Sequence, residues 1–269
     1  MKIADKVFVV TGGGNGIGRE VVLGLLNRGA RVAAVDLSEA GLAETTTLAG
    51  PAATRLSTHI VNIADRPSVE KLPDEVVAAH GQVDGLINVA GIIQRFVRLA
   101  DLSYEEMERV MAVNFWGVVN MCKTFLPTLL ARPQASLVNV SSMGALVPVP
   151  GQGAYGASKA AVKLLTEGLY AELQGTSVAV TVVFPGGVGT NITANSGVAM
   201  SSRMAEMAKS STAKVTSAAD AARQIIEAVE KGTYRVRIGG DARMMDRLSR
   251  LMPKRATALI ANRMKSLLD

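Results

Sequence analysis

The chain has 269 residues, 48% of them apolar, which is enough for one large α/β domain with a sizeable core. Its formal net charge is +6, and its one cysteine, Cys122, excludes an intramolecular disulfide and is expected to be a buried small hydrophobe in a cytoplasmic protein. No apolar run approaches the ~20 residues that cross a bilayer, the first residues lack the form of a signal peptide, and His59 and His80 stand far apart, so we expect no membrane span, no secretion and no metal site.

Short β-rich runs alternate with longer helical runs, which is the pattern of crossover units on a parallel sheet. Seven strands are predicted at residues 6–10, 31–36, 54–62, 84–88, 135–141, 177–184 and 235–239. Six helices are predicted between them at residues 16–28, 39–48, 68–80, 103–131, 153–173 and 218–231. The predicted fold class is therefore α/β, a doubly wound (Rossmann) parallel sheet with helices on both faces.

The chain is predicted to form one domain over residues 1–239, because no proline- or serine-rich linker and no internal repeat divides it. Two stretches break the alternation. Residues 190–216 form a loop of small residues that is expected to contact substrate, and residues 240–269 form a basic tail.

A glycine-rich turn follows the first predicted strand and opens into an amphipathic helix. In such a unit Gly12 makes the tight turn, Gly16 lets the backbone approach a pyrophosphate, and Gly18 allows the helix to pack on the strand. A flexible loop is the simpler interpretation of a glycine cluster. However, the second strand ends in Asp36, where a carboxylate can bind a ribose diol. This unit predicts a dinucleotide site.

Tyr155 and Lys159 are four residues apart in a predicted helix and therefore share one helix face. A phenol, with a pKa near ~10, carries protons poorly at neutral pH unless a fixed positive charge favours its ionised form. Lys159 is placed to provide that charge. Without other motifs the pair would usually be a chance match.

Six motifs in chain order together resemble the short-chain dehydrogenase/reductase family, in its short single-domain branch. They are Thr-Gly-x3-Gly-x-Gly at residues 11–18, Asn-x-Ala-Gly at residues 88–91, Asn114, Ser142 thirteen residues before Tyr155, the pair Tyr155 and Lys159, and Pro185-Gly186 followed by Thr190. The resemblance extends over residues 6–239 and implies an NAD(P)-dependent oxidoreductase.

The resemblance implies four catalytic residues. Tyr155 would exchange a proton with the substrate oxygen while a hydride passes between substrate and nicotinamide, and Lys159 would favour the phenolate and hold the nicotinamide ribose. Ser142 would hydrogen-bond the substrate oxygen, whereas the neighbouring Ser141 should face the other side of its strand. Asn114 would hold a water in a proton relay, although a polar residue satisfied by backbone is the alternative.

Six segments are expected to end at the carboxyl edge of the sheet and to converge on one crevice. The residues expected to bind the dinucleotide there are Gly12, Asn15, Gly16, Ile17, Gly18, Asp36, Leu37, Asn62, Ile63, Asn88, Ala90, Gly91, Tyr155, Lys159, Pro185, Gly186, Val188 and Thr190.

Asp36 favours NAD over NADP, because its carboxylate would repel a 2′-phosphate. NADP-preferring members of the family usually carry a basic residue where this chain has Asn15 and Leu37. Arg19 is the nearby cation that argues for NADP, and we interpret it as a helix-start residue or a phosphate contact. The chain departs from the family pattern at Asn62, usually an aspartate, and at Val89, usually an asparagine.

The segments expected over the active site are mostly apolar and favour a lipophilic secondary alcohol or ketone. The residues expected to line the substrate site are Ile93, Gln94, Met143, Gln152, Gly187, Met200 and Met204. For the methionines, core or lid packing is an equal alternative.

The excess positive charge lies in the tail, since residues 231–269 hold ten Lys or Arg against three Asp. Residues 255–269 are amphipathic, with Ile260, Met264, Leu267 and Leu268 at helical spacing. Packing on a subunit or over the cleft ranks first, weak contact with an anionic membrane second, and nucleic acid a distant third, so no nucleic-acid partner is expected. The resemblance implies a homotetramer or homodimer.

The sequence thus predicts an NAD-dependent oxidoreductase that interconverts a hydrophobic secondary alcohol and its ketone. A non-catalytic NAD-sensing protein is one alternative, although such a protein would be expected to lack Tyr155 or Lys159. An epimerase or dehydratase that retains NAD is another, although those relatives are usually longer.

Overall fold

Seven parallel strands form one sheet in the computed structural model, which describes residues 1–198 and 215–264. The strands of this sheet lie in the order β3-β2-β1-β4-β5-β6-β9, and β7 and β8 form a separate parallel pair. Their bounds are β1 Val7–Thr11, β2 Arg31–Asp36, β3 Leu56–Ile60, β4 Gly85–Asn88, β5 Ala135–Val140, β6 Val178–Pro185, β7 Val188–Gly189, β8 Thr216–Ser217 and β9 Arg235–Ile238. The predicted doubly wound α/β sheet is confirmed.

The helices cover both faces of the sheet. Their bounds are α1 Gly16–Asn27, α2 Glu39–Ala49, α3 Arg66–His80, α4 Tyr104–Met111, α5 Gly117–Leu130, α6 Gly153–Glu172, α7 Ile192–Asn195, α8 Ala218–Lys231, α9 Gly240–Leu251 and α10 Pro253–Met264. In the described part of the chain, no helix has the length and apolar character needed to cross a bilayer.

The central strands are apolar on both sides because helices cover both faces of the sheet. In β1, Val7 and Val9 join the core beneath α3, α5 and α6, while Phe8 and Val10 join the opposite core beneath α1 and α8. The packing leaves no room for a side chain at Gly85, since a Cβ there would overlap the ring of Phe8. Strand alternation thus divides the hydrophobic residues between two layers.

The segment predicted as one helix at residues 103–131 is interrupted. Ser103 caps α4 by accepting a hydrogen bond from the Glu106 N–H, and a π-helical turn, Ala112–Trp116, separates α4 from α5. Such a turn inserts an extra residue and shifts the phase of the side chains that follow. Here it accompanies the complete burial of Asn114. Apolar periodicity alone does not reveal this insertion.

The strand predicted at residues 54–62 is shorter, because its first residues belong to a 3₁₀ turn, Gly50–Arg55. Arg55 ends this turn and donates hydrogen bonds to the carbonyl oxygens of Leu26 and Ala30. Those contacts hold the segment against the end of α1, so pairing with β2 begins only at Leu56.

The predicted basic tail forms two helices, α9 and α10, that fold back on the domain. Met245, Ala256 and Ile260 form a small third core with Val147, which lies in the loop after β5. The amphipathic helix expected over residues 255–269 is described from Pro253 to Met264, and residues 265–269 lie outside the described residues. The tail therefore packs on the loop after β5.

His59 and His80, which are far apart in sequence, both contact the hydroxyl of Ser57. Ser57 Oγ lies 2.9 Å from His59 Nε2 and 2.8 Å from His80 Nε2, and His59 Nδ1 is 3.1 Å from Glu75 Oε2. Burial, with the charges of Arg31 and His59, holds the pKa of His80 below its ordinary value. No group of three or more potential metal ligands occurs among the residues that the structure describes.

Candidate active site

A cleft of about 480 Å³ opens at the carboxyl ends of β1, β2 and β4. Twelve of the predicted dinucleotide-binding residues line it: Gly12, Asn15, Gly16, Ile17, Gly18, Asp36, Leu37, Asn62, Ile63, Ala90, Gly91 and Thr190. The topology explains the convergence, since parallel strands present their carboxyl ends, and the loops that follow, at one edge.

The glycine turn at the start of α1 is closely packed. Gly12 has a φ of +73°, and a Cβ there would lie 3.0 Å from the backbone of Ala90. A side chain at Gly18 would overlap the carbonyl of Gly12. The Asn15 side chain makes no cap to α1, so the first N–H groups of this 12-residue helix remain available for an anion.

Asp36 is oriented by two backbone groups at the end of β2. Its Oδ2 accepts a hydrogen bond from the Gly14 N–H, and its Oδ1 accepts one from the Ser38 N–H, each at 2.9 Å. The glycine turn and β2 thus hold the carboxylate at the wall of the cleft, where a ribose diol can donate to it.

Arg19 is held away from the role of a phosphate-binding cation. Its Nη2 lies 2.6 Å from Glu44 Oε2 and also bonds the carbonyl oxygen of Gly14, and its Nε donates to Thr45 Oγ1 at 3.1 Å. The side chain is largely buried by these contacts with α2 and the glycine turn. Its charge is therefore already paired.

Lys159 is buried beneath the end of β5 on helix α6. Its Nζ donates a 3.1 Å hydrogen bond to the Val140 carbonyl, and burial lowers the pKa of its amine from 10.5 to about 8. A Cβ on the cleft residue Gly91 would lie 3.0 Å from this Nζ. The amine therefore lies directly behind the cleft wall.

Tyr155 is half-buried one helical turn before Lys159. Burial raises the pKa of its phenol above 10, and the hydrogen bond with Ser142 acts in the opposite direction more weakly. The expectation that Lys159 favours the phenolate stays a prediction, and in this structure the Lys159 amine donates to the Val140 carbonyl.

The two adjacent serines have separate tasks. Ser141 Oγ donates a 2.7 Å hydrogen bond to the Lys159 carbonyl and ties β5 to α6. Ser142 Oγ accepts a hydrogen bond from the Gly144 N–H at 3.0 Å, which leaves the hydroxyl proton to donate. The geometry thus places Ser142, and not Ser141, beside Tyr155.

Asn114 links the cleft wall to the catalytic helix. Its Oδ1 accepts from the Ile92 N–H at 2.8 Å, while its Nδ2 donates to the Ile92 carbonyl at 2.9 Å and to Ser158 Oγ at 3.0 Å. Ser158 Oγ in turn donates to the Tyr155 carbonyl at 2.7 Å. A water contact, which the resemblance implies, would have to use the second lone pair of Asn114 Oδ1 or its backbone.

Gln94 and Gln152, which were expected to line the substrate site, brace the start of α6. Both are buried, with 1% and 3% of their surface exposed. Gln94 Oε1 accepts from the Tyr155 N–H at 2.9 Å, and its Nε2 donates to the Gly151 carbonyl at 3.0 Å. Gln152 Nε2 donates to the Gln94 carbonyl at 2.8 Å. The polar atoms of Gln94 are thus occupied by backbone and not left for a ligand.

Six predicted dinucleotide-binding residues do not line the cleft itself: Asn88, Tyr155, Lys159, Pro185, Gly186 and Val188. Asn88 points into the core, where its Nδ2 donates to Asn139 Oδ1 at 2.9 Å and lies 3.6 Å from the sulfur of Cys122. Burial raises the pKa of that thiol to about 12, as suits an inert cysteine. The Asn88 side chain thus belongs to the core, and its contact with a dinucleotide stays a prediction.

The loop that follows β6 is held in place by Asp241, a residue later in the chain. Pro185 ends β6, and the Gly187 N–H donates a 2.7 Å hydrogen bond to Asp241 Oδ2 at the start of α9. Any side chain on Gly186 would overlap the Asp241 carboxylate. The sequence contained no signal for Asp241, because its partner is 54 residues away and is a backbone group.

Asn195 is a cleft residue that the sequence did not indicate. Its Nδ2 donates a 2.8 Å hydrogen bond to Asn15 Oδ1, so α7 contacts the glycine turn across the cleft. Nearby, Ser196 Oγ accepts a 2.9 Å hydrogen bond from the N–H of Ile93, which is buried. Of the other predicted substrate residues, Met143 packs against the third core, and Met200 and Met204 lie outside the described residues.

Comparisons with known proteins agree with this geometry. A family model described as short chain dehydrogenase matches residues 6–201. The chain is 37% identical over 260 residues to a Mycobacterium tuberculosis protein named SadH, covering 95% of this chain and 94% of that protein.

Two solved structures are similar over nearly their whole length. A short chain dehydrogenase/reductase from Burkholderia phymatum in complex with NAD superposes with a TM-score of 0.86 at 25% identity, covering 96% of this chain and 97% of that one. A short chain dehydrogenase from Burkholderia cenocepacia in complex with NADP has a TM-score of 0.78 at 26% identity, covering 98% and 99%. The fold, the cleft and these relatives together show that the chain belongs to the short-chain dehydrogenase/reductase family of oxidoreductases and has a site for a nicotinamide dinucleotide.

Proposed function

We propose that this protein is an NAD-dependent oxidoreductase that interconverts a hydrophobic secondary alcohol and its ketone, with Tyr155 as the acid and base. The observation that carries the proposal is that Lys159 lies directly behind Gly91 of the cleft wall, one helical turn from Tyr155, which in turn hydrogen-bonds Ser142. A phenol and a hydroxyl side by side match the needs of a carbonyl oxygen that gains or loses a proton.

Two features of the cleft fit a dinucleotide. The open N–H groups at the start of α1 would hold the pyrophosphate, and Asp36 would accept the hydrogen bonds of the adenosine ribose. When bound, the nicotinamide supplies the hydride acceptor or donor. The protein contributes the position of the substrate oxygen, which Ser142 hydrogen-bonds, and the path of its proton, which Tyr155 gives or takes.

The proton balance of the reaction makes its rate depend on pH. Ketone reduction takes up a proton, which a protonated Tyr155 would give to the substrate oxygen. Oxidation of an alcohol needs the phenolate, so its rate should increase with pH.

Two observations support NAD over NADP. Asp36 lines the cleft at the end of β2, where a 2′-phosphate would meet its negative charge. Arg19 is paired with Glu44 and Thr45 and is thus not available to neutralise that phosphate.

An apolar substrate is supported by the residues beside the catalytic group. Ile93 and Val147 are buried next to this region, and Met143 and Leu146 follow Ser142 in the same loop. These side chains give the loop after Ser142 an apolar character and supply no charged group that would bind a charged substrate.

The test is to follow NADH formation with a graded panel of secondary alcohols, from short chains to sterol-sized rings. Wild-type protein is compared with Tyr155→Phe at pH 7 and at pH 9.5, and the panel is repeated with NADP. We expect activity that prefers NAD, increases with pH and falls at least about a hundredfold in Tyr155→Phe. Thr181→Val, at a buried hydroxyl far from the cleft, is the matched control for loss of one hydroxyl.

Full activity in Tyr155→Phe would exclude the proposed acid and base. NAD binding measured by calorimetry, without turnover of any alcohol or ketone on the panel, would favour a dinucleotide-sensing protein. A preference for NADP would contradict the role given to Asp36.

A further inference from the structure

The exposed surface of α9 and the start of α10 has an unusual composition. Its exposed charged residues, in the part of the chain that the structure describes, are all cationic: Arg243, Arg247, Arg250, Lys254 and Arg255. The same surface exposes three large apolar side chains, namely Met244, Leu251 and Met252. We call these eight residues the cationic face.

Five of the eight residues of the cationic face lie on one side of α9. At about 100° per residue, Arg243, Met244, Arg247, Arg250 and Leu251 fall within a sector of about 120°. The opposite side of the helix contributes Ala242 and Met245 to the interior. These five residues therefore form one strip along the helix, and Met252, Lys254 and Arg255 follow it in the chain.

The carboxylates of α9 pair with only one residue of this strip, Arg250. Asp246 is buried and bonds Arg235 and Arg237 from β9 as well as Arg250. Asp241 is turned toward the Gly187 N–H at the edge of the cleft. Arg243, Arg247 and Lys254 make no ion pair in the described residues, so their charges face solvent.

We infer that the cationic face docks on the surface of an anionic lipid bilayer. Cations at this spacing attract negative headgroups, and their aliphatic stems lie along apolar surface. Leu251, which is 79% exposed, and Met244, which is 47% exposed, stand between the cations and can enter the boundary of the acyl chains. An anionic bilayer surface can bind both features of the strip, because its headgroups are charged and its acyl chains are apolar.

Two other occupants fit the cationic face less well. A second copy of the chain, docked face to face by two-fold symmetry, would bring like charges together. A nucleic acid would use the cations but would leave Leu251 and Met244 without a partner, and the face has no aromatic side chain for base stacking.

The position of the face connects docking with the cleft. The inner side of α9 and α10 packs on Val147 and on Met143 and Leu146, in the loop that follows Ser142. A bilayer at the outer side would therefore lie one helix layer away from the active-site loop. This inference rests on the surface alone and holds whether or not the proposed reaction is correct.

The test is co-sedimentation of the full chain with vesicles of phosphatidylcholine alone and of phosphatidylcholine mixed with phosphatidylglycerol. The double variant Arg243→Glu/Arg247→Glu is compared with Lys2→Glu/Lys71→Glu, which makes the same change of net charge at exposed residues elsewhere. We expect binding to the anionic vesicles only, lost at about 1 M salt, and reduced at least about tenfold in the first variant but not in the control. Leu251→Ser should weaken binding severalfold without lowering the thermal midpoint, because its side chain is exposed.

Several results would overturn the inference. These are absence of binding to anionic vesicles, equal binding to both vesicle types, and equal loss in the two double variants. A change of oligomeric state in Arg243→Glu/Arg247→Glu on size-exclusion chromatography would identify the face as a subunit interface. Equal affinity for single-stranded DNA and for anionic vesicles would show a general polyanion surface.

Discussion

The buried amine of Lys159 has a measurable consequence for stability. Its pKa is lowered from 10.5 to about 8, so between those pH values the unfolded chain holds a proton that the folded protein has released. The free energy of unfolding contributed by this group therefore increases with pH across that window. Below about pH 8 both states are protonated, and the folded protein bears the full cost of a buried ammonium.

We predict that Lys159→Met removes this pH dependence. From pH 8 to pH 10 the free energy of unfolding of the wild-type protein should rise relative to that of the variant, with a slope approaching about 1.4 kcal/mol per pH unit. Urea unfolding at several pH values measures both curves. Above pH 10 the raised pKa of Tyr155 acts with the opposite sign, so the comparison stops there. Parallel curves would show that the amine is hydrated.

At the scale of elements, helix α6 depends on a support that lies outside it. The Tyr155 N–H belongs to the first turn of α6, where backbone donors lack partners within the helix. Gln94 supplies that partner from the loop after β4 and also holds the Gly151 carbonyl. The start of α6 is therefore fixed by a side chain 61 residues away.

We predict that Gln94→Met lowers kcat about ten- to a hundredfold with little change in the dissociation constant of the dinucleotide. The variant keeps the side-chain volume but loses both hydrogen bonds, so the start of α6 loosens near Tyr155. Gln174→Met, at the exposed far end of the same segment, is the matched control. Steady-state kinetics and calorimetry separate the two quantities. An unchanged kcat would mean that the helix needs no such support.

Much of this element-scale structure could be predicted from local sequence, and the rest depends on distant contacts. Glycines 12, 16 and 18 and Asp36 form one short unit, and they line the cleft as predicted. The π turn around Asn114 could not be predicted, because a one-residue insertion barely changes the apolar pattern of a helix. Gln94 was predicted to line the substrate site, whereas in the structure it bonds the backbone of Gly151 and Tyr155. Backbone groups are the same in every residue, so the sequence does not reveal them as partners.

At the scale of the whole molecule, Asp84 joins three strands at their amino ends, on the opposite side of the sheet from the cleft. It precedes β4, accepts a 2.9 Å hydrogen bond from the Val7 N–H of β1, and pairs at 2.9 Å with Arg132, which precedes β5. Lys6 lies 3.7 Å away, and the carboxylate is fully buried. The carboxyl ends of the strands thus form the cleft, and their amino ends are held together through Asp84.

We predict that Asp84→Ala lowers the free energy of unfolding by about 3–5 kcal/mol, because it leaves the Arg132 Nε and the Val7 N–H without their acceptor. Asp84→Asn should cost less, since its oxygen can still accept from Val7. Chemical denaturation measures the loss, and Asp74→Ala, at an exposed carboxylate, is the control. The activity of the folded fraction should stay normal. A loss of activity without a loss of stability would contradict this division of tasks.

The hydrogen bond between Asn15 and Asn195 also bears on how the cleft exchanges its ligand. It joins the glycine turn to α7 across the cleft that receives the dinucleotide. An exposed hydrogen bond breaks and re-forms far faster than a catalytic turnover takes, so this contact can tether α7 to the glycine turn without blocking the entry or release of a dinucleotide.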